Sequence, residues 1–189
     1  METVNANKMK ELVLYVSSRL AGDPHNGTIK RNKVLAFADF AHFAQHGRSI
    51  TGAEYVKQPY GPAPRGIRAL EHELVGSGEA QNVIIGFGPR AQKMLFPARE
   101  AKLDDFTGNE VASVEAALDL LDGKTGMESS DLSHAAMLGW KYGRELQPIP
   151  YQTVFLYDGV VTDAERRAGE SILDRLKEEI ENERQPARA

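Results

Sequence analysis

Asp39, His42 and His46 lie three and four residues apart in one apolar stretch. On a helix they share one side and offer a carboxylate and two imidazoles, a donor set that suits zinc or iron. His25, His72 and His134 stand in unrelated contexts, and no second ligand pair occurs at metal spacing. The residues are therefore read as partly exposed or core-packed histidines, with no metal and no cofactor expected. Cysteine is absent, which removes thiol catalysis, zinc-thiolate sites and disulfides. There is no Gly-x-Ser-x-Gly elbow to raise a serine nucleophile. Gly86-Phe-Gly88 follows an apolar run but leads to Pro89-Arg90 and a second such run, so it is neither a dinucleotide fingerprint nor a phosphate loop. Asp104-Asp105 and Glu178-Glu179 are accounted for by a helix start and a solvated face, not by acid–base chemistry. The chain is expected not to be an enzyme.

What stands out instead is the stretch Gly47 to Pro64, Gly-Arg-Ser-Ile-Thr-Gly-Ala-Glu-Tyr-Val-Lys-Gln-Pro-Tyr-Gly-Pro-Ala-Pro. Thr51 and Glu54 have capping-box spacing, with Ile50 and Tyr55 placed as a staple, yet Pro59 would cut off a helix within about two turns. Pro59, Pro62 and Pro64 fix φ and bias the residues before them toward extended geometry. Tyr60 thus stands on a backbone with little freedom left to lose, which suits a recognition surface.

The elements that must position this stretch follow from periodicity. Met9, Leu12, Val13, Val16 and Leu20 predict a first helix over 7–21. A second, capped by Thr28 and running to Gln45 before Gly47, is apolar on most sides and is read as the spine of the core. Ile67, Leu70 and Leu74 predict a third from about Arg65 to Val75. Asn82–Phe87 and Ala91–Phe96 read as a β-hairpin, which Tyr55–Gln58 could extend as a third strand. Capping boxes Thr107-x-x-Glu110 and Thr125-x-x-Glu128 open two further helices, ending near Gly123 and Ala136. Leu138–Gly143 reads as a break in regular structure that presents the single Trp140 beside Tyr142. Pro148–Tyr157 is either extended or a turn into a helical piece. A last box at Thr162 starts a charged helix striped by Ala168, Ile172, Leu176 and Ile180, peripheral or pairing with a second copy, before a polar tail.

At 189 residues and net charge −4 the chain fits one domain. Residues 1–102 hold 14 Lys and Arg against 9 Asp and Glu, whereas residues 103–189 hold 9 against 18. Without a signal-like start or a long apolar run, a cytoplasmic protein with no membrane contact is expected. Three helices and a hairpin match the order of a winged helix, with Lys57, Arg65, Arg68, Arg90, Lys93 and Arg99 as its basic residues. Glu71 and Glu73 on the third helix and the acidic second half oppose phosphate binding. A DNA-binding, autoregulatory protein is therefore the runner-up.

Three pieces stand together: Leu35–Arg48, Leu-Ala-Phe-Ala-Asp-Phe-Ala-His-Phe-Ala-Gln-His-Gly-Arg; Ile50-Thr-Gly-Ala-Glu-Tyr with Pro59-Tyr-Gly-Pro-Ala-Pro64; and Leu132-Ser-His134 with Gly139-Trp140. In these the chain resembles the Panacea domain, the SocA-like antitoxin domain of bacterial and phage toxin–antitoxin systems. The resemblance spans roughly Leu12 to Leu156 and departs from the family pattern at Ala63 and at Ala135–Leu138. It implies a mainly α (α+β) domain with a small antiparallel sheet, no catalysis, and neutralisation of a cognate protein toxin by direct binding; one branch resembles a protease adaptor that delivers its toxin for degradation. Residues 1–160 would form this domain and 161–189 a C-terminal helix docked on it, with a homodimer through that helix as a further expectation. Within the motifs, Gly52, Glu54, Pro59, Gly61, Pro64 and His134 are expected to be structural. Tyr55, Lys57, Tyr60, Pro62, Arg65, Trp140 and Tyr142 are expected to meet the partner.

Overall fold

The computed structural model describes residues 4–86 and 91–159, together with 162–164, 166, 167, 171 and 175. The chain divides into two units, Met1–Leu156 and Tyr157–Ala189. In the first, the second helix is the spine. This helix, α2 (Thr28–His46), buries Val34, Leu35, Ala36, Ala38, Phe40 and Phe43. It ends where Gly47 turns left-handed at φ 70°, a conformation glycine adopts without a Cβ penalty. Thr28 was the expected cap, but Gly27 occupies that position and the Thr28 hydroxyl instead donates to the Lys93 carbonyl at 3.3 Å.

Around α2 pack α1 (Ala6–Arg19), α4 (Gly108–Leu120), α5 (Gly126–Ala136) and a 3₁₀ helix (Tyr151–Phe155). Thr107 and Thr125 each close a capping box with Glu110 and Glu128, so both sequence-predicted helix starts hold. Between α2 and α4 lie β1 (Tyr55–Gln58), β2 (Gly61–Pro64), α3 (Ile67–Gly76), β3 (Ala80–Ile85) and β4 (Gln92–Pro97). The sequence suggested that Tyr55–Gln58 extends the later hairpin. Instead β1 sits in its own antiparallel sheet, ordered β2-β1-β5 with β5 (Pro148–Ile149), while β3 and β4 pair alone. The prolines explain part of this: Pro62 and Pro64 lack donors and belong on an edge strand, which is where β2 lies.

The proposed break at Leu138–Gly143 is a further correction. Met137 interrupts α5 at ψ 90°, and the chain at once resumes helix as α6 (Leu138–Tyr142) before Gly143 ends it. Gly139 permits this restart, because a Cβ there would run into the Thr153 side chain. Of the alternatives left open for Pro148–Tyr157, both occur in succession, strand and then 3₁₀ helix.

In the second unit Asp163, Ala164, Arg166, Arg167, Ser171 and Arg175 are helical, and the Arg166 N–H donates to the Thr162 carbonyl at 3.0 Å. Ala168, Ile172, Leu176, Ile180 and the tail, on which the docking and dimer expectations rest, lie outside the described residues. No helix among the described residues is long and apolar enough to cross a membrane.

Candidate partner-binding surface

Asp39 organises the stretch after α2. It is fully buried, and its carboxylate accepts from Ile50 N–H at 2.8 Å, Thr51 N–H at 3.1 Å, the Thr51 hydroxyl at 2.6 Å and the Tyr55 hydroxyl at 2.9 Å. Burial pushes this carboxyl up from its ordinary range, while the Thr51 and Tyr55 donors pull it back. Burial likewise holds the Tyr55 phenol well above its usual value, as a proton donor to Asp39. Both Asp39 oxygens are taken by these donors. The His42 and His46 rings lie 4.4 Å apart, with His42 buried and 3.0 Å from the Ser113 hydroxyl and His46 exposed, but no group of three ligands that could hold a metal ion gathers among the described residues. The Thr51–Glu54 box does not form either. The Thr51 hydroxyl goes to Asp39, and Glu54 pairs with Arg65 across the base of the β1–β2 hairpin.

Pro59 and Tyr60 make the hairpin tip between the paired residues Gln58 and Gly61. Proline fixes φ on the negative side, so the positive φ such a tight reversal needs falls on Gly61, at 95°. Behind Gly61 the space is taken: a Cβ there would lie 2.6 Å from Lys33 Cε, 2.8 Å from Lys33 Nζ and against the Ser133 hydroxyl. Lys33 is 2% exposed and donates to the Pro62 carbonyl at 2.6 Å. Burial lowers its pKa to about 7.

One flank of the tip is braced by α5 and α6. The Trp140 indole N–H donates to the Gln58 carbonyl at 2.9 Å, and His134 stacks on the Trp140 ring at 3.6 Å between centroids. Lys57 Nζ lies 4.5 Å from the same ring centroid and donates to the Gly143 carbonyl at 3.1 Å and the Lys141 carbonyl at 3.4 Å. Burial, and then the positive charge of Lys33, lower the His134 pKa.

The partner-binding candidates therefore divide. Tyr60 and Tyr142 are 53% and 62% exposed and Arg65 is exposed beside Glu54, whereas Lys57 and Trp140 are half-buried. Tyr55, at 1% exposure, and Pro62 are buried, so neither offers a face to a partner; they hold the hairpin from within. Among the structural positions, Gly52 is left-handed at φ 67° with its N–H on the Ser49 hydroxyl, and Pro64 pairs with Tyr55. A family model for the SocA-like antitoxin Panacea domain matches residues 32–141, which takes in Asp39, the hairpin, His134 and Trp140. The chain belongs to this family. No curated protein and no solved structure matches it.

The Panacea fold also changes the basis for weighing nucleic acid. Glu71, expected to face phosphate, is buried and paired with Arg31 at 2.5 Å, so it does not oppose binding. Two of the cations are committed as well: Arg99 is tied to Glu11 and Glu79, and Arg65 to Glu54, whereas Arg68 is exposed and Arg90 lies outside the described residues. Lys33 and Ser133 were missed by the sequence reading. Their only trace is the last cation of the run Lys30-Arg31-Asn32-Lys33 that opens α2 and a serine beside His134 on α5.

Proposed function

We propose that this Panacea domain is a cytoplasmic antitoxin that neutralises a cognate protein toxin by direct contact through the hairpin tip and α6, with no bond-making step of its own. The observation that carries the reading is Tyr60. A large aromatic side chain stands 53% exposed on a two-residue tip whose backbone is held by Pro59, by Gly61 against Lys33 and by the Trp140 bond to Gln58. The backbone that carries this ring has already lost its freedom before binding, so only the side-chain rotation remains to be ordered when it serves as an anchor. Tyr142 supplies a second exposed ring on the bracing helix. Lys57, Trp140 and Arg65 complete the contact, with Tyr55 and Pro62 in support.

The test is co-expression with the cognate toxin. Tyr60→Ala and Tyr142→Ala are expected to melt within a degree or two of the parent and yet to lose growth rescue. Full rescue by the double variant would remove this surface from the interface. Toxin half-life in the same cells separates blocking, which leaves it unchanged, from delivery to a protease, which shortens it.

A further inference from the structure

We propose that the partner presents an acidic segment to this surface, its carboxylates meeting Lys57 and Arg144 and its apolar side chains lying on Tyr60, Tyr142 and Leu146. The inference rests on the binding surface proposed above and adds the chemistry of what it takes. Elsewhere in the domain, cations find carboxylates: Lys8 reaches Glu110, Lys10 Glu79, Lys30 Asp23, Arg31 Glu71 and Arg99 Glu11. Behind the hairpin the pattern changes. The hydrogen bonds of Lys33 and Lys57 end on the carbonyls of Pro62, Lys141 and Gly143, and the neighbouring imidazole, His134, feels both ammoniums. Among the described residues neither ammonium is ion-paired to a carboxylate, although the charge of exposed Asp131 also acts on His134.

The segment after α6 extends this field to the surface. Lys57 and the 144–147 loop are joined by two backbone bonds, Leu146 N–H to Lys57 O at 2.9 Å and Lys57 N–H to Gln147 O at 3.1 Å, which bring exposed Arg144 alongside. Leu146 is held there at φ 61°, a left-handed conformation unfavourable for a side chain of its kind, with 57% of it exposed. Of the acidic groups nearby in sequence, Glu54 is paired with Arg65, and Asp131 and Glu145 are exposed to solvent. Basic groups interleaved with three large apolar side chains match an acidic, apolar-flanked polypeptide. A nucleic acid would need a longer basic stripe than the few cations gathered here provide, and it would have no use for the large apolar side chains between them.

The probe is a labelled twelve-residue peptide alternating glutamate with leucine and phenylalanine, with glutamine-for-glutamate and lysine-for-glutamate counterparts, titrated onto the full chain. The acidic peptide is expected to bind at least ~5-fold tighter than the glutamine one and to weaken roughly 10-fold between low and high salt. Arg144→Glu, an exposed change that leaves folding intact, should abolish the preference, and Lys57→Arg should retain it where Lys57→Gln does not. Equal binding of the acidic and glutamine peptides, or no binding by either, overturns the inference. So does a short DNA duplex that binds more tightly than the acidic peptide and is lost with Arg144→Glu. Rescue from the toxin by Arg144→Glu, alongside failure of Tyr60→Ala, would sink the acidic partner and leave the surface standing; rescue by both would sink the two together.

Discussion

Replacing Lys33 with methionine isolates the energetics of the buried ammonium behind the hairpin. Lys33 is 2% exposed, donates to the Pro62 carbonyl at 2.6 Å, and is brought by burial to a pKa of about 7. In the unfolded chain it titrates near ~10.4. Between these values the unfolded chain binds a proton that the folded chain does not. Stability is therefore fully present above the unfolded pKa, falls as pH is lowered through the window, and levels off below about pH 7. The slope is about 1.4 kcal/mol per pH unit, amounting to ~5 kcal/mol across the window. Lys33→Met keeps an unbranched stem and deletes the titration. Against that gain stand the lost hydrogen bond, about 1 kcal/mol, and the Pro62 carbonyl left without it, about 1–3 kcal/mol. The variant should thus be more stable than the parent at pH 7 by roughly 2 kcal/mol and less stable at pH 10, so the two curves cross. Urea denaturation at successive pH values, followed by circular dichroism and by the fluorescence of the single tryptophan, measures both curves. A difference between parent and variant that stays constant from pH 7 to 10 would refute the reasoning.

Other consequences follow from the same geometry. Gly61→Ala should cost roughly 2–4 kcal/mol, because a positive φ and a collision with Lys33 and Ser133 act together, whereas Gly47→Ala, also left-handed but with open space around it, should cost only about 1 kcal/mol. Thermal melting of the pair decides whether the crowding matters. Asp39→Ala strands four buried donors and is expected to lose roughly 3–5 kcal/mol in urea and to impair toxin rescue by releasing the hairpin; a loss under 1 kcal/mol would deny Asp39 its organising place. Thr107→Ala removes a cap whose partner Glu110 also holds Lys8, and should cost about 1 kcal/mol by the same measurement. Dialysis against a chelator should leave the melting midpoint unchanged, since Asp39 and His42 are engaged with Thr51, Tyr55 and Ser113; a fall of several degrees would restore the metal reading.

The sequence by itself determined helices α1 to α5, the capping boxes at Thr107 and Thr125, and the family. These depend on neighbours a few residues apart, such as Thr107 with Glu110, Thr125 with Glu128, and the apolar period of α2 that stops at Gly47. It also singled out the proline-rich stretch, because constraints on φ act residue by residue. Only the tertiary structure decided which rings face outward. Tyr55 and Tyr60 stand five residues apart in the same motif, yet Asp39 draws one into the core while the turn at Gly61 pushes the other into solvent. The separate sheet, the buried Glu71–Arg31 pair and the placement of Lys33, His134 and Trp140 behind the hairpin were equally out of reach. The deciding contacts join residues far apart in the chain, such as Lys33 and Pro62, Arg31 and Glu71, Gln58 and Trp140, or Tyr55 and Ile149. Whether a charge or ring at one such position is buried depends on what the fold packs against it, and no local pattern carries that information.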